Sequence, residues 1–243
     1  DEFDLEAKRR ALDFIRRNAE AGRPFFLSWW PQFLSFIPQP QKSSLQRGLA
    51  GDAYESILDP AVGELMQTLR DLGIAENTLV VVMADNGPMT HDPPPGLGMG
   101  EGIFRGGKGD FLEGGVRVSA AAWWPGMIDG DQVPGDIIHV TDLYTTFARL
   151  AGATGYIPTD RVIDGVDQTS LLLNGDGNGR RDYVFIYAGH SLAATVKDHY
   201  KRHWFADPLQ AASGIGAAYF DLYNDPREEV PLLINLLHFK EPF

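Results

Sequence analysis

The chain has 243 residues, no cysteine and a formal charge of −12. Without thiols, disulfides, thiolate metal ligands and a cysteine nucleophile are excluded. The acidic balance argues against a nucleic-acid partner, since such binders carry a basic face.

No apolar run approaches the ~20 residues of a membrane helix, so no membrane partner is expected. The length fits one large domain, or one domain plus a small one. The N-terminus, DEFDLEAKRR, lacks a signal-peptide pattern and opens straight into helical spacing, as if cut from something longer. Residues 4–19 set Leu5, Leu12, Phe14 and Ile15 among charges, which predicts an amphipathic helix stopped by Gly22. PFFLSWW at 24–30 is almost unbroken apolar and reads as a buried strand. Pro, Gln, Ser and Gly dominate 31–51, which reads as loop. Helical spacing returns from Ala53 to Leu72, closed by Gly73, and 78–84 is a strand.

Helix, strand, helix, strand in that order predicts an α/β fold, a mostly parallel sheet flanked by helices. A long Gly/Pro loop fills 88–110. Residues 116–124 are a further strand, 139–151 a helix, and Ser170–Leu173 a short helical piece. After 183 the strand-like runs follow one another without helices, which predicts a small antiparallel sheet. The expected division is an α/β core over 1–175 and an antiparallel C-terminal subdomain over 176–243.

Two stretches carry candidate chemistry. LVVVMADNGP ends a greasy strand on Asp85, Asn86 and Gly87. Asn-Gly is a strong turn signal, but no second alternating strand follows. In parallel sheets ligands gather at the carboxyl ends of strands, and a carboxylate beside an amide carbonyl suits a hard cation. In RGGKGDFLEGGVRV, Lys108 stands between glycines, so a ligand can approach the backbone while the ammonium reaches it as a point charge. The bland alternative is a solvated loop lysine. A separate reading starts from Gly189-His190-Ser191-Leu192-Ala193, which has the pattern of a nucleophile elbow with Ala in the last place. Ser191, an Asp among 207, 221 and 225, and His238 would then form a serine esterase. Against it, the residues after Ser191 look extended, whereas an elbow needs a helix there.

TLVVVMADNGP, RGGKGDFLEGGVRV and WWPG, in that order and spacing, resemble the second half of the sulfatase family, within the alkaline-phosphatase-like superfamily. The flanks PFFLSWW, HVTDLYTTFARLAGA, IDGVDQTSLLLNGD and FDLYNDPREE fit as well. The resemblance implies sulfate-ester hydrolysis in a family often periplasmic, secreted or lysosomal. It implies Asp85 and Asn86 as the late pair of divalent-metal ligands, usually for Ca²⁺ with Mg²⁺ as the alternative. It implies Lys108 as the sulfate contact. Glu113, Gly114, Gly115 and Arg117 match positions read as holding that loop, Asp142 opens a family helix, and Asp164-Gly165 matches a structural turn.

Departures matter as much. The family nucleophile comes from a Cys/Ser-x-Pro-x-Arg motif, and this sequence has neither version. The early metal-binding aspartates have no counterpart. Phe36 falls where members commonly place a His, and only Gln32 offers a polar substitute nearby. Two ligands are too few for the ~6–8 oxygens that Ca²⁺ takes. The expectation is therefore a truncated sulfatase-like protein with weak or no activity alone, its cation readily lost. Its substrate would be a small sulfate ester or other ester. A further alternative is a non-catalytic remnant that oligomerises to cover surface left bare by truncation.

Overall fold

The computed structural model describes residues 2–31, 58–88, 103–204 and 218–232. Two compact units divide them: one takes the residues up to 81 with 123–127, and the other takes the rest.

In the first unit the two amphipathic stripes become helices α1, Glu2–Glu20, and α2, Asp59–Asp71. The helices pack on one another, burying Leu12 and Ile15 from α1 and Ala61 and Leu69 from α2. Each large aliphatic side chain so buried contributes roughly 1.5–3 kcal/mol. Lys8 meets Glu64 across the pair at 2.6 Å, a partly exposed contact worth under about 1 kcal/mol. Past each helix the chain folds back on the last turn: the Arg23 amide donates to the Asn18 carbonyl, and the Ile74 amide to that of Leu69.

PFFLSWW departs from its expected form. Residues 23–31 carry no strand, and Phe26 and Trp30 are 72% and 73% exposed. An apolar run supplies the propensity, but a strand also needs a neighbour for its backbone groups. No described residue provides that ladder. Phe25 instead lies edge-on to Phe14, ring centroids 5.9 Å apart.

A 3₁₀ turn at Ala75–Asn77 leads into β1, Val80–Met83, which pairs with β2, Ala120–Trp123. β2 starts later than its apolar run because Glu113–Val116 coil into a short helix, α3. The Leu112 and Glu113 carbonyls accept from the Val116 and Arg117 amides, so Val116 is spent on a turn.

In the second unit, α4 (Asp142–Leu150) and α5 (Thr169–Asn174) precede a four-stranded antiparallel meander. Its strands are β3 (Tyr183–Ala188), β4 (Ser191–Lys197), β5 (Tyr200–His203) and β6 (Ala218–Asp221). One face buries Ile186, Ala194, Val196, Ala218 and Phe220, with Phe111, Ile137 and Val184 packed against them. The antiparallel C-terminal sheet expected from the consecutive strand-like runs is thus present.

Asp142, fully buried at the start of α4, gathers this unit's loops. It accepts from the amides of His139 at 2.9 Å and Val166 at 2.7 Å. The Arg181 guanidinium grips both its oxygens, with Nε at 2.8 Å from Oδ2. Burial raises the Asp142 pKa, but Arg181 and the two amides outweigh it and hold the carboxyl below its ordinary range.

Candidate functional site

β1 delivers Asp85 and Asn86 just past its carboxyl end. Asp85 is exposed and Asn86 half-buried. The Asn86 side-chain nitrogen donates to the Gly87 carbonyl at 2.7 Å, so the amide oxygen is the atom that could ligate a cation. Both donors are therefore hard oxygens, the chemistry that Ca²⁺ and Mg²⁺ select. The described residues contain no cluster of three or more His, Asp or Glu that could hold a metal. The pair fits a cation only as part of a larger ligand set.

The next residues lock onto the glycine-rich loop. The Ala84 amide donates to the Ser119 carbonyl at 3.1 Å, and the Gly87 amide to the Gly115 carbonyl at 3.1 Å. The Lys108 amide donates to the Pro88 carbonyl at 2.7 Å. At Gly87 the two backbones touch: a Cβ there would lie 1.7 Å from the Gly114 oxygen. Only glycine permits that approach. The stretch bearing Asp85 and Asn86 and the loop bearing Lys108 are thus one stitched feature. Lys108 is exposed, with its side chain free of any ion pair to a described carboxylate. Asp110 shapes the loop by accepting the Gly107 amide at 3.0 Å.

Beneath the loop lies a charge cluster that the sequence alone did not reveal. Lys201, on the inward side of β5, is fully buried and reaches Glu113 Oε1 at 3.0 Å and Glu228 Oε1 at 3.1 Å. His203, two residues on and equally buried, places Nε2 2.6 Å from the same Glu228 oxygen. The other Glu228 oxygen accepts the Glu113 amide at 2.6 Å. Phe111 stands edge-on to the His203 ring at 5.1 Å. Burial raises the Glu228 pKa, yet His203 and Lys201 outweigh it and keep the carboxyl below its ordinary range. A second tie joins Arg105 Nε to the Arg227 carbonyl at 3.1 Å. Arg117 lies within 3.7 Å of Glu113 and over the Phe104 ring at 4.8 Å.

A lysine and a histidine at alternate positions of YKRH put two polar groups on the inward face of a strand. That was the available signal for Lys201 and His203; Glu228 had none, because its partners are remote in sequence. The structure brings Asp85, Asn86, Lys108 and Glu113 into one neighbourhood through the backbone links above. It does not bring Ser191 there. Ser191 pairs with Ala188 across the two-residue turn Gly189-His190 and opens β4. A strand therefore follows the serine, where an elbow needs a helix. His238, Phe36, Gln32 and His91 lie outside the described residues.

The Sulfatase family model matches residues 53–153. The N-acetylgalactosamine-6-sulfatase of Canis lupus familiaris is 40% identical over 200 residues, covering 81% of this chain and 37% of the relative. The Homo sapiens protein of the same name is 38% identical over 260 residues, covering 96% of this chain and 48% of the relative. The chain thus spans less than half the length of these curated relatives. Among solved structures, the PsFucS1 sulfatase from Pseudoalteromonas sp. superposes with a TM-score of 0.76 at 29% identity, covering 94% of this chain and 48% of that one. The overall architecture, an α/β region followed by the antiparallel meander, is that of the alkaline-phosphatase-like fold.

Proposed function

Because this chain belongs to the sulfatase family, we propose that it carries the cation-holding and anion-facing side of a sulfate-ester hydrolase site. Asp85 and Asn86 would hold a divalent cation, Ca²⁺ by preference, completed by oxygens from elsewhere. When bound, such a cation acts as a Lewis acid on a sulfate oxygen. Lys108 neutralises negative charge on the sulfate group, and the glycines beside it leave room for the substrate. The relatives' names point to a sulfated amino sugar as the substrate class.

One observation carries this reading: the Lys108–Pro88 and Gly87–Gly115 backbone bonds join the cation pair and the lysine loop into one feature. The bland view of Lys108 as an isolated solvated lysine does not account for a loop so tightly tied to the end of β1. The 243 residues hold no cysteine and no Ser-x-Pro-x-Arg motif. The chain alone therefore turns over sulfate esters weakly or not at all.

Calorimetric titration tests the site directly. Ca²⁺ should bind on the order of 10⁻⁴–10⁻³ M, the weak end for oxygen-ligated sites. Inorganic sulfate should bind more tightly once Ca²⁺ is present, and Lys108→Ala should remove that gain. Sulfate affinity unchanged in Lys108→Ala would overturn the assignment of the lysine. Hydrolysis of 4-nitrophenyl sulfate by the purified chain at ordinary sulfatase rates would overturn the incomplete-site reading.

A further inference from the structure

The cluster of Lys201, His203, Glu113 and Glu228 is almost wholly buried and has no place in the chemistry above. Its contacts nevertheless converge on the segment that carries Lys108. Glu113 lies five residues beyond that lysine, and both its backbone amide and its carboxylate are engaged from the sheet side. Glu228 uses one oxygen for the loop's backbone and the other for the two strand residues. Lys201 closes the circuit by bridging the two carboxylates.

Such a cluster is a costly way to gain stability, since well-packed apolar groups often serve as well. His203 Nδ1 has no hydrogen-bond partner among the described residues, but the charged groups partner one another, and such a network supplies a single geometry because any slip strands a charge without its partner. We propose that Lys201 is a positioning residue for the anion-facing loop: through Glu113 and Glu228 it fixes the segment 105–115 on the meander and so sets where the Lys108 ammonium stands. The importance of that position for sulfate rests on the function proposed above. The clamp itself rests on the contacts alone.

The geometry makes the role separable from folding of the sheet. β5 is held in register by backbone pairs to β4 and β6 that do not involve the Lys201 side chain. The 105–115 segment has no ladder of its own. Removing the ammonium should therefore loosen the loop far more than the strands.

Two measurements on the full chain decide the matter. In hydrogen exchange, Lys201→Met should speed exchange of the 105–115 amides at least tenfold more than it speeds exchange of the β3–β6 amides. Unchanged loop exchange, or an equal rise across the strands, overturns the proposal. If Lys201→Met fails to fold, the double variant Lys201→Met with Glu113→Gln removes the ammonium and the carboxylate charge together, and the same reading applies. The second measurement is a sulfate-affinity cycle in the presence of Ca²⁺. Lys201→Met should weaken sulfate binding at least tenfold in the parent and less than twofold in a Lys108→Ala background. An equal loss in both backgrounds overturns action through Lys108. Should the parent chain bind no sulfate at all, the proposed function fails, and the exchange result alone decides the clamp.

Discussion

Two groups of charges sit within the same unit and are treated in opposite ways. Lys201, Glu113, Glu228 and His203 are almost wholly buried, and each carboxylate there has its partners. Asp85 and Lys108 are exposed, and among the described residues their side chains make no hydrogen bond or ion pair, although the backbone beneath them is tied. The contrast separates framework from chemistry. A charge whose hydrogen-bonding capacity is filled from within holds the chain; a charge on a fixed backbone with its capacity open is set to meet a ligand.

Breaking the framework should have the largest effect. Lys201→Met leaves two buried carboxylates short of a cation, and chemical denaturation should show a loss of about 3–5 kcal/mol. A loss under about 1 kcal/mol would mean the cluster is no framework. Next comes Gly87→Ala, whose methyl group would overlap the Gly114 carbonyl. The backbones must part, with a cost of about 1–3 kcal/mol and a fall in Ca²⁺ affinity, both readable by titration and thermal melting.

Acid should sharpen the contrast. The folded Glu228 and Asp142 carboxyls both stand below their ordinary range. A carboxylate depressed in this way stabilises fully above its unfolded pKa and loses that contribution as pH falls through the folded value. The second unit should therefore weaken steadily as pH drops below about 4, the unfolded carboxylate range. Glu228→Gln should flatten that decline while lowering stability at neutral pH, as followed by near-ultraviolet circular dichroism. The smallest stability effects belong to the exposed pair. Lys108→Ala and Asp85→Asn should each shift unfolding by no more than about 0.5 kcal/mol, yet Lys108→Ala should remove the Ca²⁺-dependent gain in sulfate affinity and Asp85→Asn should weaken Ca²⁺ binding.

Much of this arrangement was legible from local pattern. The stripes in 4–19 and 53–72 announced α1 and α2, and the consecutive runs after 183 announced the meander. Asp85, Asn86 and Lys108 were singled out because each stands in a segment whose neighbours, aliphatic or glycine, make a polar residue conspicuous. PFFLSWW misled because an apolar run reports propensity while a strand also requires a partner. Val116 misled because a turn of helix consumed the start of an apolar run. The buried cluster was out of reach for another reason. Lys201 to Glu113 spans 88 positions and Glu113 to Glu228 spans 115, and no window along a sequence relates residues so far apart.

That separation has a consequence for how the protein comes into being. The carboxylate that fastens the lysine loop is among the last of the described residues to leave the ribosome, more than a hundred positions after the segment it secures. Closing so long a span is slow compared with forming helices or hairpins. The lysine-bearing loop should thus mature late in folding, and a nascent chain halted before Glu228 would display Asp85 and Lys108 without the Glu228 contact that fastens the loop.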